Sequence, residues 1–134
     1  MMLFSKYRKD ESGASATEFA LAVPLVLLLF YGMAQFGLIL LANAGLRHAV
    51  DKGARATTVY IGATPMTDAQ IRSRVTSALY GMTTGTVSTP SVTRGTSNGV
   101  NYVDISISYS VPVDFIAYQY GPIVLRERRR AYLP

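Results

Sequence analysis

The feature that most constrains this chain is an uninterrupted stretch without charge. No Asp, Glu, Lys or Arg occurs from Phe19 to Leu46, a run of 28 residues. In its densest apolar part, residues 19–42, Gln35 is the only strongly polar side chain. As a helix this part measures about 36 Å at ~1.5 Å per residue, against a hydrocarbon core of ~30 Å. Because lipid offers no partners to free backbone groups, the pattern predicts a transmembrane helix over about residues 19–42.

Composition excludes several classes of function. The chain has 134 residues, no cysteine and a single histidine, His48. Disulfides, thiolate metal sites and cysteine nucleophiles are therefore excluded, and no glycine-rich phosphate loop is present. We predict no catalytic residue, no metal site and no cofactor, and hence a protein that is not an enzyme. The net charge of +5 suits a membrane surface, and no basic patch interleaved with aromatics predicts nucleic acid as a partner.

Two local signals describe how the helix enters the membrane. Lys6, Arg8 and Lys9 precede the apolar run. Such a cluster predicts a cytoplasmic N-terminus, with the rest of the chain on the other side. Pro24 lies in the second turn after Glu18, and its missing N–H predicts a kink or a local loosening of the helix.

The helix is expected to continue beyond the membrane to residue 62. Arg47, Asp51 and Arg55 recur at helical spacing, which predicts a solvated ladder of opposite charges. Gly62 and Pro65 are the predicted stop signals.

A second stripe of the same helix consists of small residues. They are Ala42, Gly45, Ala49, Gly53 and Ala56. Small residues let another backbone approach closely. The stripe therefore predicts helix packing, either against the protein's own sheet or against neighbouring copies and partner helices.

The remaining residues, 63–134, predict a small head. Thr67 and Gln70 have the spacing of a capping box that begins a second helix, ended by Gly81. Pro90 confines a strand over residues 86–94 to a sheet edge. Asn98-Gly99 predicts a tight turn into a strand that alternates apolar and polar residues, typical of an antiparallel sheet with one buried and one wet face.

The C-terminal residues complete the predicted sheet. Gly121-Pro122 predicts a turn, and the residues after it predict a last strand with Arg126, Arg128 and Arg130 on one side. These arginines are interpreted as a solvated or edge-protecting face, or alternatively as a contact for acidic partners or lipid headgroups. The fold class is α+β: a long N-terminal helix, transmembrane in its N-terminal half, with a pilin-like head of one helix and an antiparallel β-sheet.

The residues before the apolar run have a recognisable order. Gly13 follows a short charged leader, four small residues come next, and Glu18-Phe19 opens the membrane helix. This order resembles the N-terminus of a type IV pilin precursor. The longer run GASATEFALAVPLVLLLFYGMAQFG is similar to the TadE-like minor pilins, or pseudopilins, of tight-adherence (Tad) pilus systems.

That resemblance implies a set of expectations. Residues 1–13 would be a cytoplasmic leader, removed by a prepilin peptidase between Gly13 and Ala14. Residues 14–62 would form the long helix in the bacterial inner membrane, and residues 63–134 a head outside it. The other implied partners are inner-membrane lipid, other minor pilins, the major pilin and the assembly platform. Ala14 stands where many type IV pilins have Phe. The head is too large for a major Tad pilin, and its size favours a minor subunit.

Glu18 would become the fifth residue of the mature chain. A carboxylate in apolar surroundings costs several kcal/mol unless it is neutralised or paired. The new amine of Ala14 on a neighbouring subunit is the implied partner for subunit pairing, and such a pair would fix the axial register of the helices. Taken alone, Glu18 also fits an ordinary interfacial acid in the first turn of a membrane helix.

Two other interpretations remain open. Ala42-Asn43-Ala44 has the form of a signal-peptide cleavage site, although the apolar run before it is longer than the ~7–15 residues of a signal-peptide core. The chain also fits an unprocessed single-span protein whose head binds envelope partners.

Overall fold

The computed structural model describes residues 11–59, 65–115 and 118–133. The elements in chain order are helices α1 (Glu11–Thr58) and α2 (Asp68–Ser77) and strands β1 (Thr86–Val87), β2 (Ser91–Ser97), β3 (Val100–Phe115) and β4 (Tyr118–Tyr132). The predicted α+β class is thereby confirmed. Leader residues 1–10 and the helix stop predicted at Gly62 lie outside the described residues.

The chain divides into two compact units, Met1–Gly37 and Leu38–Pro134. Helix α1 contributes to both, and its apolar part is long enough and apolar enough to cross a membrane. The second unit contains the rest of α1, helix α2 and the whole sheet.

Strand β3 is the centre of an antiparallel sheet. It pairs with β4 along one side and with β2 and then β1 along the other. The single strand predicted over residues 86–94 is divided at Pro90, which lacks the N–H that a ladder needs. The predicted Asn98-Gly99 turn is confirmed: both residues have positive φ, 52° and 78°, and join the paired residues Ser97 and Val100.

The turn predicted at Gly121-Pro122 is wrong. Both residues lie inside β4, opposite Pro112, where the register between the strands shifts in a β-bulge. A bulge leaves residues unpaired, so it accommodates prolines that have no N–H to donate. The two strands are joined instead through residues 116–117, which lie outside the described residues.

The local signals of α2 are confirmed at its start and wrong at its end. Thr67 caps the helix, accepting a hydrogen bond from the Gln70 amide while the Gln70 side chain accepts one from the Thr67 amide. The helix ends at Ser77, before Gly81. Gly81 instead adopts a φ of +74°, and a Cβ there would press on Leu41.

The hydrophobic core lies in the second unit, where α1, α2 and the inner face of the sheet meet. Its largest fully buried side chains are Tyr109, Leu46, Ile71, Ile105, Val50, Val75 and Val103. The β3 residues among them alternate along the strand, which confirms the predicted buried face.

Candidate functional site

The residues of the predicted cleavage and pairing site lie in the first turns of α1. The helix begins at Glu11, so the backbone at Gly13 and Ala14 is helical. Glu18 is exposed, and among the described residues its carboxylate has no ion-pair or hydrogen-bond partner. Phe19 beside it is 72% exposed. A charged group and a large apolar group therefore stand next to each other on an uncovered helix surface.

The apolar segment contains two further features of interest. The α-helix continues through Pro24, so the residue does not end the helix. Gln35 donates a hydrogen bond of 2.8 Å to the Tyr31 hydroxyl one turn earlier. This pairing partly satisfies the only strongly polar side chain of residues 19–42, which lowers its cost in an apolar environment. The spacing of four residues could have revealed it from the sequence.

The small-residue stripe packs within its own chain. Gly45, Ala49 and Gly53 are buried in the second unit. A Cβ at Gly45 would clash with the carbonyl oxygen of Tyr80, and one at Gly53 would lie 2.5 Å from a methyl group of Val75. These positions therefore pack within their own chain, but Gly45 lies against the segment after α2, and Gly53 lies against α2 and only secondarily against Ile105 of the predicted partner, the sheet.

Charged side chains join α1 to strand β4. Arg47 donates to Glu127 at 2.8 Å, and Arg129 donates to Asp51 at 2.6 Å. The predicted ladder of opposite charges along α1 is thus replaced by pairs that reach across to the sheet. The hydrogen bond from Arg129 holds the pKa of Asp51 below its usual 3.8, and the same contact raises the pKa of Arg129. These pairs join residues about 80 positions apart, so no local pattern could reveal them.

The outer face of the sheet carries a second charged cluster. Asp104 accepts hydrogen bonds from Arg130 and Arg128, at 2.8 and 2.6 Å, and the Arg130 guanidinium lies 3.9 Å from the centre of the Tyr102 ring. Asp104 lies on the polar face of β3 that the alternation predicts, but it is buried instead of exposed to water. The neighbouring long side chains cover it.

The arginines of this cluster stabilise the ionised form of Asp104. Hydrogen bonds from Arg130 and then Arg128 lower the pKa of Asp104 to about 2, and Asp104 raises the pKa of Arg130. Arg126, Arg128 and Arg130 lie on one side of β4, as predicted. Within the described part of the chain, no group of His, Cys, Asp and Glu is arranged to hold a metal ion.

Fold and hydropathy together define a class of protein: a small α+β head that continues from one long apolar helix. In the comparison with protein families, residues 13–55 match the sequence model of the TadE family, described as TadE-like protein. The match covers 43 of the 134 residues and ends within α1. The match confirms the predicted resemblance to TadE-like proteins over residues 13–55. No curated protein and no solved structure matches the chain.

Proposed function

We propose that this protein is a minor pilin, or pseudopilin, that acts in the assembly of a Tad (Flp-type) pilus for surface adherence. The observation that carries the proposal is the start of the family match. It begins at Gly13, the residue after which the leader would be cut, and includes Glu18 on an uncovered apolar helix.

In this proposal α1 inserts into the bacterial inner membrane with its N-terminus in the cytoplasm. A prepilin peptidase then removes residues 1–13. A scissile bond inside a helix must unwind before a protease can bind it extended, and Gly lowers the cost of unwinding by ~1 kcal/mol relative to Ala. Gly13 thus combines a small side chain with a readily unwound backbone.

Processing is tested by co-expressing the full chain with and without a prepilin peptidase. The mature N-terminus is then read by mass spectrometry. We expect a product beginning at Ala14, and we expect Gly13→Leu to block its formation. Gly32→Leu is the matched control, since a Cβ at Gly32 meets nothing within 4 Å. Normal amounts of mature Gly13→Leu protein would remove Gly13 as the site.

After processing, the Glu18 carboxylate would pair with the free amine of Ala14 on a neighbouring subunit. Its exposure fits this role, because a partner from another helix can reach it. We expect Glu18→Ala to be processed normally but to enter pili or their assembly complex poorly. Glu11→Ala is the control, since residue 11 would leave with the leader. Normal incorporation of the Glu18→Ala protein would contradict the pairing role.

The processed helix would then pack laterally against other minor pilins, the major pilin and the assembly platform. Residues 14–62 would form the anchoring helix, and residues 63–134 the extracytoplasmic head. The proposal assigns the protein a structural role, without catalysis.

Two alternatives predict different products. An unprocessed single-span protein would keep Met1, and a secreted protein cut after Ala44 would begin at Gly45. The second of these is disfavoured by the core, because Ala42 is 2% exposed and Gly45 is buried. A cut between them would divide one packed stripe and remove part of the head's own core.

A further inference from the structure

One cavity in the second unit is lined mainly by basic side chains. It has a volume of about 430 Å³ and is formed by the C-terminal part of α1 together with α2. Lys52 and Arg55 of α1 and Arg74 of α2 line it, and His48 adds a fourth basic group. Sites for small molecules commonly have volumes of ~300–1,000 Å³, so the cavity has room for a small ligand.

Helix periodicity and one glycine bring these cations together. Lys52 and Arg55 are three residues apart in α1, so they share one face of the helix. Arg74 reaches the same place because α2 packs closely against α1 at Gly53. A Cβ at Gly53 would lie 2.5 Å from a methyl group of Val75, the residue next to Arg74. The tight contact between the two helices therefore fixes the third cation beside the other two.

The three permanent cations of this cavity form no salt bridge within the part of the chain that the structure describes. Four acids of the second unit each pair with an arginine from outside the cavity; they are Asp51, Asp68, Asp104 and Glu127. Asp51 also lines the cavity, but the Arg129 guanidinium, 2.6 Å away, balances its charge. Arg55 adds only a weaker coulombic attraction to Asp51. The charges of Lys52, Arg55 and Arg74 are therefore left uncompensated.

The helix ends offset only part of this positive charge. Arg55 lies in the last turn of α1 and Arg74 in the last turn of α2, where the helix macrodipole favours a cation. Each helix C-terminus contributes about −0.5 of an elementary charge, so the two ends together leave an excess of about +2 from the three cations. Like charges at such close spacing repel one another, and an anion between them would remove the repulsion.

We propose that this cavity is a binding site for a phosphate monoester group. Such a group carries about −1.5 to −2 charges at pH 7 and three strong acceptor oxygens. Its charge matches the excess in the cavity, and its oxygens offer an acceptor to each of Lys52, Arg55 and Arg74. A carboxylate carries a single charge, and in this chain one arginine is enough to pair with Asp51. The site goes beyond the proposed role in pilus assembly and does not depend on removal of a leader.

The site is tested by calorimetric titration of the full chain, purified in a nonionic detergent and a buffer that contain no phosphate. Glycerol phosphate is the probe, and acetate, which has a single charge, is the control ligand. We expect glycerol phosphate to bind saturably and acetate to bind much more weakly. Equal affinity for the two ligands would overturn the charge match, and the absence of saturable binding would overturn the site.

Substitutions then test the residues. We expect Lys52→Gln, Arg55→Gln and Arg74→Gln each to raise the dissociation constant of glycerol phosphate roughly tenfold, because each removes a charge-assisted hydrogen bond. Arg72→Gln is the matched control, since Arg72 is exposed on the same helix as Arg74 but does not line the cavity. Circular dichroism checks that each variant is folded. An equal loss of affinity in Arg72→Gln would overturn the site and assign binding to net charge alone.

A second arm identifies the source of the phosphate group. The titration is repeated with phosphatidic acid in the detergent micelles, because its headgroup is a phosphate monoester. Unchanged affinity for glycerol phosphate supports a soluble ester as the ligand. Weaker binding of glycerol phosphate supports the lipid headgroup as the competing occupant of the same site.

Discussion

Helix α1 contains Leu and Gly in both units, but these residues lie in different environments. In the first unit its side chains are uncovered: Leu27 is 62% exposed, and a Cβ at Gly32 or Gly37 would meet no atom within 4 Å. In the second unit Leu46 is fully buried, and Gly45 touches the backbone of Tyr80. Leu and Gly therefore do different things in the two parts of a single helix.

The comparison shows that the apolar residues in the two parts of this helix are suited to two different surroundings. In the first unit they match a surrounding that the protein itself does not supply, as expected of a helix in lipid. In the second they fill a packed protein core, where shape matters as well as polarity. Substitutions of the same type should therefore have different consequences for the stability of the head in the two units.

The largest difference is expected for leucine truncation. Leu46→Ala removes a fully buried side chain and should lower the free energy of unfolding of the head by ~2–5 kcal/mol. Leu27→Ala should leave it unchanged, because Leu27 lies outside the core. Thermal unfolding of the full chain in nanodiscs, followed by near-UV circular dichroism, measures both. Equal losses of unfolding free energy for the two variants would contradict the difference between the two units.

A smaller difference is expected for glycine. Gly37→Ala gains helix propensity of up to ~1 kcal/mol without meeting any atom. Gly45→Ala gains the same propensity, but its methyl group meets the Tyr80 carbonyl. Overpacking of this kind typically costs ~1–3 kcal/mol. The same unfolding assay should show net destabilisation only for Gly45→Ala, and a stabilised Gly45→Ala head would refute the close packing.

The smallest expected effect on stability comes from the charge of Asp104. It separates the contribution of charge from that of packing within the second unit. Asp104 has its pKa lowered from 3.8 to about 2, so its ionised form is favoured in the folded state. The stabilisation is present above pH 3.8 and is lost as pH falls through about 2. Asp104→Asn should therefore destabilise the head at neutral pH, by about 1 kcal/mol.

The pH dependence separates charge from packing. The stability difference between wild type and Asp104→Asn should shrink as the pH falls from 4 to 2, whereas that of Leu46→Ala should persist. Urea unfolding of both variants at several pH values provides the measurement. A difference at Asp104 that does not change with pH would assign its effect to shape alone.

Local signals predicted well those features that depend on neighbouring residues. The capping box of α2, the Asn98-Gly99 turn and the alternation of β3 are all present, because each is stabilised by contacts a few residues apart. Gly121-Pro122 failed as a turn signal, since a bulge opposite Pro112 tolerates the same residues. The proposed cleavage and pairing residues also come from a local pattern.

Contacts between residues far apart in the sequence could not be predicted from such local signals. The ladder of Arg47, Asp51 and Arg55 was expected along the helix, whereas the partners of Arg47 and Asp51 come from β4, about 80 residues later. The polar face of the strand after Asn98-Gly99 was expected in water, whereas the arginines of β4 cover Asp104 on that face. In each case the closer partner exists only once the helix and the strands have come together.

By itself the sequence determined the apolar helix, the order of the elements and the residues proposed for processing and pairing, because charge, periodicity and capping act over one or two turns. Only the tertiary structure decided that Gly45, Ala49 and Gly53 pack inside their own chain, which charges pair, and which cations line one cavity. These outcomes depend on which surfaces meet, and that is decided by packing distant parts of the chain into one core.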